Sequence, residues 1–427
     1  MRNARRPRRP RSGRFAAGTA LAAATALLAC RAPAAPAPRP LPFDPLPAVG
    51  DEEREPGEAD GAASEGTERV ARWSPPYSPG VAGVMQVGGA VRGSVALRAG
   101  SCATRRTGDC ACDDDLVLVG SDAGTLTAFD PDGNRLWEAD CGAPIAQPAI
   151  APPGEAIFVR CDNGTVAALD AADGRERWRV ARTNAAGLVT PMEWSPWAGV
   201  LFGADDGMAA IHRSGAVVWS WPAPGPFAGP PALSGRVAVF AGLDRIVRGH
   251  DAGTGEERWR RWVVGGVEGG VLELRSGDVV VATLYGHVHA FGLPGGDPRW
   301  ETTVGTLARA RPAEGTDGMV LVGLMDGALV GLDPDDGAVE WGLGVPAPIL
   351  AEPLPVERDD DGSGAGGGES RAHVVIADRD GHLAEVSYRA LGGDDGETDP
   401  TPPLELWRFN VGLPLESRPP LQGASLL

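Results

Sequence analysis

The chain has 427 residues, with 57 acidic residues against 39 basic ones and a formal net charge of −18. A surface this acidic repels phosphate backbones, which argues against a nucleic-acid-binding protein. The 61 glycines, 39 prolines and 6% aromatic residues favour a turn-rich all-β protein.

The first 29 residues are predicted to be a targeting segment. Residues 1–14 contain seven arginines and no acid, and the mostly apolar run 15–29 is too short to span a bilayer comfortably. This run ends in Leu27, Leu28 and Ala29 before Cys30, which resembles a bacterial lipobox. We expect Cys30 to become the lipid-bearing first residue after cleavage. The alternatives are an ordinary cleaved signal peptide and, less well supported, a transmembrane helix.

Residues 30–81 are predicted to be a disordered tether. Their first part is mostly proline and alanine, and residues 51–68 are small and acidic. Neither part can bury enough apolar surface to offset the entropy of ordering, and proline keeps such a linker extended. We interpret this segment as a spacer between a membrane surface and a folded domain.

Five cysteines lie beyond Cys30, and an exported location permits disulfides. Cys141 and Cys161 are the favoured pair, because we expect them near matching ends of two adjacent antiparallel strands. Cys102 would close a loop with Cys110 or Cys112, which leaves one thiol over. These last three cysteines could instead hold a metal ion, although they lack the spacing typical of a zinc site.

A tryptophan recurs at intervals of 40 or 41 residues, and a seventh copy follows after a gap of 66. Each of the first six lies four residues after a glycine. The seven are Trp137, Trp178, Trp219, Trp259, Trp300, Trp341 and Trp407. A period near 40 is typical of a repeat array, most often a β-propeller.

Each repeat predicts four strands. In the first, apolar runs at 116–120 and 125–130 are separated by a glycine turn, and a second turn leads to Trp137. A further apolar run precedes each repeat, as at 143–150. We therefore predict an all-β fold, a β-propeller of four-stranded blades over residues 82–427. Seven blades are expected, and eight is the alternative.

The periodic tryptophans are predicted to fill the space between adjacent blades. A large rigid ring at one fixed structural position suits such docking, and its nitrogen can donate to the backbone of the neighbouring blade. Exposed rings that stack on a ligand are the alternative interpretation.

The repeated pattern is Ala/Gly-apolar-Asp followed by Gly-x-x-x-Trp, with good copies at residues 128–137, 168–178 and 331–341. It resembles the pyrroloquinoline-quinone-type propeller repeat. Quinoprotein dehydrogenases of that type are longer and carry adjacent cysteines near a calcium-bound quinone, which Cys110 and Cys112 do not match. A lipobox, a tether and one bare propeller look like the non-catalytic, BamB-like branch of envelope lipoproteins.

Little else in the sequence points to chemistry. His287 and His289 alternate on one predicted strand and so share a face, but no third metal ligand is identifiable nearby. No catalytic, cofactor-binding or metal-ligating residue is assigned. Nucleophile elbows, phosphate loops and zinc-protease motifs are absent from the sequence.

The resemblance implies an exported, lipid-anchored scaffold or binding propeller without a cofactor, most consistent with the outer membrane and facing the periplasm. Its partners would be envelope proteins, including an outer-membrane barrel-assembly complex, in which it would be a monomer. One alternative is a divergent quinone- or metal-dependent oxidoreductase with its site in the central channel. Another is a periplasmic ligand sensor that uses the same channel.

Overall fold

A computed structural model describes residue 87 and residues 96–98, 116–130, 133–145, 156–181, 190–223, 225–357, 371–391, 402–410, 421–422 and 425–426. These residues form β-strands and connecting turns. None of them belongs to a helix capable of spanning a bilayer.

The strands form successive antiparallel sheets, each numbered here in chain order. The first sheet contains β1 (Ala96–Arg98), β2 (Leu116–Gly120), β3 (Thr125–Phe129) and β4 (Arg135–Asp140). The second contains β5 (Ile157–Arg160), β6 (Val166–Leu169) and β7 (Glu176–Val180). The third contains β8 (Met192–Ser195), β9 (Gly199–Ala204), β10 (Gly207–Ile211) and β11 (Val217–Pro222). The fourth contains β12 (Ala232–Ser234), β13 (Val237–Ala241), β14 (Ile246–Asp251) and β15 (Glu257–Trp262).

The remaining sheets continue the same order. The fifth contains β16 (Leu272–Glu273), β17 (Val279–Ala282), β18 (His287–Gly292) and β19 (Asp297–Thr303). The sixth contains β20 (Ala313–Glu314), β21 (Val320–Gly323), β22 (Ala328–Leu332) and β23 (Val339–Gly344). The seventh contains β24 (Leu354–Val356), β25 (Arg371–Ala377), β26 (His382–Arg389) and β27 (Leu404–Asn410). A short pair follows, β28 (Leu421–Gln422) and β29 (Ser425–Leu426).

Each of the seven larger sheets is a meander, and the two strands before its last strand are buried on both faces. Many of these strands are short apolar runs, such as Val237–Ala241, whose side chains pack against the sheets on either side. The first strands of five successive sheets line one common cavity. Sheets packed face to face around a cavity are the arrangement of a β-propeller, so the predicted fold class is confirmed. The number of blades stays a prediction, because residues 99–115 and 146–155 lie outside the described part of the chain.

A β-bulge sets the direction in which each periodic tryptophan side chain points. In all seven sheets the register between the last two strands shifts by one residue immediately before the tryptophan. A bulge bends the strand and redirects the next side chain. In the first six sheets the residue paired with the tryptophan is alanine or glycine, because the indole lies over that position. A Cβ on Gly249, for instance, would collide with Trp259.

The indole then packs on the next sheet. A Cβ added to Gly174 or to Gly255 would lie 2.5 Å from the ring of the preceding tryptophan. These glycines also have positive φ, +68° and +74°, which other residues adopt only at a cost. The same contact recurs in five places: Trp137 on Gly174, Trp178 on Gly215, Trp219 on Gly255, Trp259 on Gly296 and Trp300 on Gly337.

Four of these five indoles also donate a hydrogen bond to the next sheet. The acceptors are the backbone oxygens of Ala171, Arg213, Ala252 and Pro334, at 2.7–3.0 Å. Trp259 Nε1 is buried without a hydrogen-bond partner. The last two tryptophans bond within their own sheets, Trp341 to Met319 Sδ and Trp407 to the Glu385 carboxylate.

The structure joins Cys141 and Cys161 in a disulfide, with their Cα atoms 6.0 Å apart. The expected reason for the pairing is wrong, because β4 and β5, which precede the two cysteines, belong to different sheets and are not hydrogen-bonded to each other. The disulfide therefore links the first sheet to the second within the shared apolar core.

We expect Trp259→Ala to lower the free energy of unfolding by about 3–5 kcal/mol, because it leaves a cavity between two sheets. Trp262 lies on the same strand with 72% of its surface exposed, against 6% for Trp259. Trp262→Ala should change stability by about 0.5 kcal/mol or less. Urea denaturation followed by circular dichroism measures both. Equal losses in the two variants would contradict docking of Trp259 as the cause.

Three glycine-to-alanine substitutions separate backbone strain from steric contact. Gly255 combines a positive φ with the close indole of Trp219, Gly305 has a positive φ and open space, and Gly344 has neither constraint. Gly305→Ala should cost about 1–2 kcal/mol from conformation alone. Gly255→Ala should cost about 1–3 kcal/mol more, because the ring must move.

Gly344→Ala is the control, and its free energy of unfolding should stay within about 0.5 kcal/mol of the parent. Thermal or urea denaturation of the three variants provides the comparison. If Gly255→Ala were no less stable than Gly305→Ala, the contact between tryptophan and glycine would not be tight.

Candidate functional site

A cavity of about 610 Å³ lies where the first strands of the third to seventh sheets meet. Its lining is mainly charged, with five carboxylates and two guanidinium groups among small apolar side chains. The charged residues are Glu193, Glu273, Glu314, Glu352, Glu357, Arg275 and Arg311. The described lining contains no histidine, cysteine or aromatic residue.

Both arginine side chains already bind other groups of the protein. Arg311 donates to the backbone oxygen of Val271 at 2.8 Å and lies 3.8 Å from Glu352. The side chain of Arg275 donates to the oxygen of Thr316, while its backbone N–H donates to Glu314. Five carboxylates line the cavity against two guanidinium groups, so the cavity favours cationic over anionic ligands.

Burial shifts the pKa of two of these carboxyl groups. It raises the pKa of Glu193, and the charge of Arg311 opposes it only in part. It also raises the pKa of Glu273, against a hydrogen bond from Ser234. Both groups are destabilised as anions, so a bound cation or a proton would relieve them.

A second cluster lies away from this cavity, on the two outer strands of the fifth sheet. The sequence indicates two histidines on one face without a third ligand, and the structure supplies the third one. Antiparallel pairing places Glu301 of β19 directly opposite His289 of β18. Ligand atoms of His287, His289 and Glu301 lie within 4.8 Å of one another. Sequence spacing could not show this, because strand register decides which glutamate faces the histidines.

Four exposed apolar side chains form a third feature, which we name the turn patch: Trp262, Val264, Tyr285 and Leu307. Their exposed fractions are 72%, 47%, 65% and 46%. Trp262 is the last residue of β15, and the other three lie in connections at the same end of the strands, across the fourth to sixth sheets. Gly265 approaches Tyr285 closely, and Gly286 approaches the backbone of Thr306 beside Leu307.

Turn hydrogen bonds hold these connections together. The turns after β5, β13, β17, β21 and β25 each donate a backbone N–H to the connection arriving from the sheet before. Leu284 donates in this way to Gly266, and Met325 donates to Leu307. The corresponding turn residues in the first three sheets are Asp122, Asp162 and Asp205, whereas the fourth to sixth have Leu243, Leu284 and Met325. Aligning the turns of the repeats would have revealed this change from acidic to apolar.

Several residues singled out in the sequence lie outside the described part of the chain. They are Cys30, Cys102, Cys110 and Cys112. Lipidation at Cys30 and the pairing of the other three cysteines stay predictions.

Comparison with known proteins identifies one family. The family model described as outer membrane protein assembly factor BamB matches residues 80–195, 195–311 and 243–387. Two proteins named outer membrane protein assembly factor BamB are similar to the chain. The one from Burkholderia pseudomallei is 27% identical over 195 residues, 42% of this chain and 49% of its own length. The one from Yersinia pestis is 30% identical over 132 residues, 28% of this chain and 33% of its own length. The chain thus spans half or less of these relatives.

Solved structures share the fold. BamB from Moraxella catarrhalis superposes with a TM-score of 0.54 at 19% identity, covering 70% of this chain and 85% of that one. The computationally designed Ika8 protein gives a TM-score of 0.54 at 15% identity, covering 77% and 93%. A europium-containing methanol dehydrogenase gives 0.50 at 12% identity, covering 62% and 71%. At these identities the likeness concerns the fold alone.

The raised pKa of Glu193 predicts a stability gain on neutralising this residue. A carboxyl whose folded pKa is raised favours folding below its unfolded pKa, near 4.3, and loses that contribution as the pH rises. Glu193→Gln should therefore unfold at a higher urea concentration than the parent at pH 7–8. The gain should shrink towards pH 4, where the parent carboxyl is protonated. A gain that is equal at pH 4 and pH 8 would point to packing instead.

Proposed function

Because the chain belongs to the family of the outer membrane protein assembly factor BamB, we propose that it is a non-catalytic binding protein of the bacterial envelope that contributes to outer-membrane protein assembly. It would act as a monomer within a larger complex. The names of the relatives support this role, and the chain's own surface supports binding as its mode of action.

The turn patch is the observation that carries the proposal. Solvent-exposed apolar side chains that lie side by side on a soluble domain typically mark a contact surface. Tryptophan and tyrosine are the residues that most often dominate the affinity of protein interfaces. Trp262 and Tyr285 lie in adjacent sheets and are the two most exposed members of the patch. We therefore assign them as the anchors of the partner contact.

The connections on which the patch lies are rigid enough for this role. Val263 and Val267 are buried, and their N–H groups donate to Arg245 and Gly242 of the same sheet's own turn. Anchors held on a rigid frame lose less entropy on binding than anchors on a loose loop. Docking to the patch would need little rearrangement of the propeller.

The N-terminal predictions complete the proposal. Lipidation at Cys30 would hold the protein at a membrane, and residues 30–81 would let the propeller reach its partner. The outer membrane, with the propeller in the periplasm, fits the names of the relatives best. Burial of the acyl chain would supply the membrane contact, since the acidic protein surface is repelled by anionic lipid.

An oxidoreductase or a ligand sensor that uses the central cavity is the second candidate. The observation in its favour is the 610 Å³ volume lined by carboxylates with raised pKa values. Such a site would suit a cationic ligand. Mass spectrometry and metal analysis of the protein purified from its native envelope would distinguish it, because a bound organic cofactor would accompany the chain.

Binding to a purified outer-membrane barrel-assembly complex tests the proposed function. We expect the double variant Trp262→Ala/Tyr285→Ala to bind at least about 30-fold more weakly than the parent, because loss of a central aromatic anchor typically costs about 2 kcal/mol or more. Biolayer interferometry with the immobilised full mature chain gives the dissociation constants.

Trp197→Ala is the matched control. Trp197 is 52% exposed, but it lies in the turn between β8 and β9, at the opposite end of the strands from the turn patch. Its loss should leave the dissociation constant within about twofold of the parent. Equal weakening in control and double variant, or no binding by the parent chain, would refute docking through the patch.

A further inference from the structure

We propose that His287, His289 and Glu301 form a binding site for a divalent transition-metal ion, with Zn²⁺ as the expected occupant. The inference is independent of the proposed scaffold function. It rests on strand register and on the distances between the ligand atoms.

Strand geometry brings three ligands of two kinds to one face of the fifth sheet. His287 and His289 are two residues apart on β18, so their side chains point to the same face. Glu301 on β19 is paired with His289, while Thr303 is paired with His287. Directly opposite residues in an antiparallel pair have Cβ atoms about 4.5–5.5 Å apart, which lets one carboxylate reach both rings.

The distances between the three side chains are close to those between the ligands of a metal ion. Glu301 Oε1 lies 3.0 Å from His287 Nδ1, and its Oε2 lies 3.7 Å from His289 Nδ1. The two imidazole rings are 6.0 Å apart and inclined by only 20°. Ligand atoms around a tetrahedral zinc are about 3.3 Å apart, given bonds near 2.0–2.1 Å. A small rotation of the half-exposed glutamate would complete the set.

His289 supplies a second, independent observation. Its side chain is 8% exposed, and its Nε2 has no hydrogen-bond partner. Its Nδ1 is 3.7 Å from the nearest carboxylate oxygen, too far for a hydrogen bond. No hydrogen bond joins His289 Nδ1 to Glu301, so this nitrogen can take a metal ion instead. Phe291 stacks on the ring at 11° and holds its orientation.

Electrostatics also favour a cation. The carboxylate of Glu301 is the charged group beside the His289 imidazole, and its negative charge favours a cation there. Glu301 is 50% exposed and His287 is 24% exposed, so an ion can enter from solvent.

Two imidazoles and one carboxylate are a donor set that suits zinc and leaves one of four positions open. Water or a donor atom from another molecule could take that fourth position. Calcium and magnesium prefer sites built only from oxygen ligands, so they should bind far more weakly.

Calorimetric titration of the metal-free mature chain with ZnCl₂ tests the inference, using protein purified without a histidine tag. We expect one Zn²⁺ per chain. Glu301→Gln and His287→Gln should each weaken binding at least about tenfold, since even groups that only support metal ligands contribute 10–100-fold. CaCl₂ should give no saturable binding in the same concentration range.

Glu138→Gln is the matched control. Glu138 occupies the corresponding position in the first sheet, directly after Trp137, but it faces Thr127 instead of a histidine. This variant should bind Zn²⁺ as the parent does. Circular dichroism verifies that all variants fold, and both ligand substitutions affect partly exposed side chains. Unchanged zinc affinity in Glu301→Gln and His287→Gln, or no zinc binding by the parent chain, would overturn the inference.

Discussion

The contact between one sheet's tryptophan and the next sheet's glycine is the interaction on which the rest of this structure depends. A four-stranded meander exposes two apolar faces and cannot bury them alone. Trp219, for example, lies across the gap, packs on Gly255 and donates to the oxygen of Ala252. The glycine contributes both a positive φ and the absence of a Cβ. Because the same glycine precedes the next tryptophan by four residues, each repeat positions its successor.

This arrangement explains why function can vary while the frame stays constant. The bulge, the small residue beneath the ring and the glycine occupy the outer half of each sheet. The first strands and the turns between the second and third strands carry none of these contacts, so they can accept carboxylates, as in the cavity, or apolar side chains, as in the turn patch. Two outer strands of the fifth sheet likewise carry His287, His289 and Glu301 without altering the tryptophan contact between Trp300 and Gly337.

The departures from the repeat are chemically informative. In the seventh sheet Glu385 stands where other sheets have alanine or glycine beneath the ring, and its buried carboxylate accepts from both Trp407 and His373. Two polar contacts therefore meet at the carboxylate beneath the last tryptophan. In the fourth sheet Trp259 keeps its glycine contact but has no acceptor for its indole N–H. Packing, and not the hydrogen bond, is therefore the common element of the interface.

The sequence by itself determined the fold class, the repeat boundaries and the tryptophan positions, because hydrophobic period and turn glycines are local properties of the chain. It also indicated two histidines on one face. Only the tertiary structure decided what those residues meet. Glu301 lies opposite His289 through strand register, and Gly265 of one connection packs against Tyr285 in the turn of the next sheet. Both are contacts between residues that no local pattern relates. The same reason explains the disulfide, whose cysteines belong to neighbouring sheets and not, as expected, to paired strands.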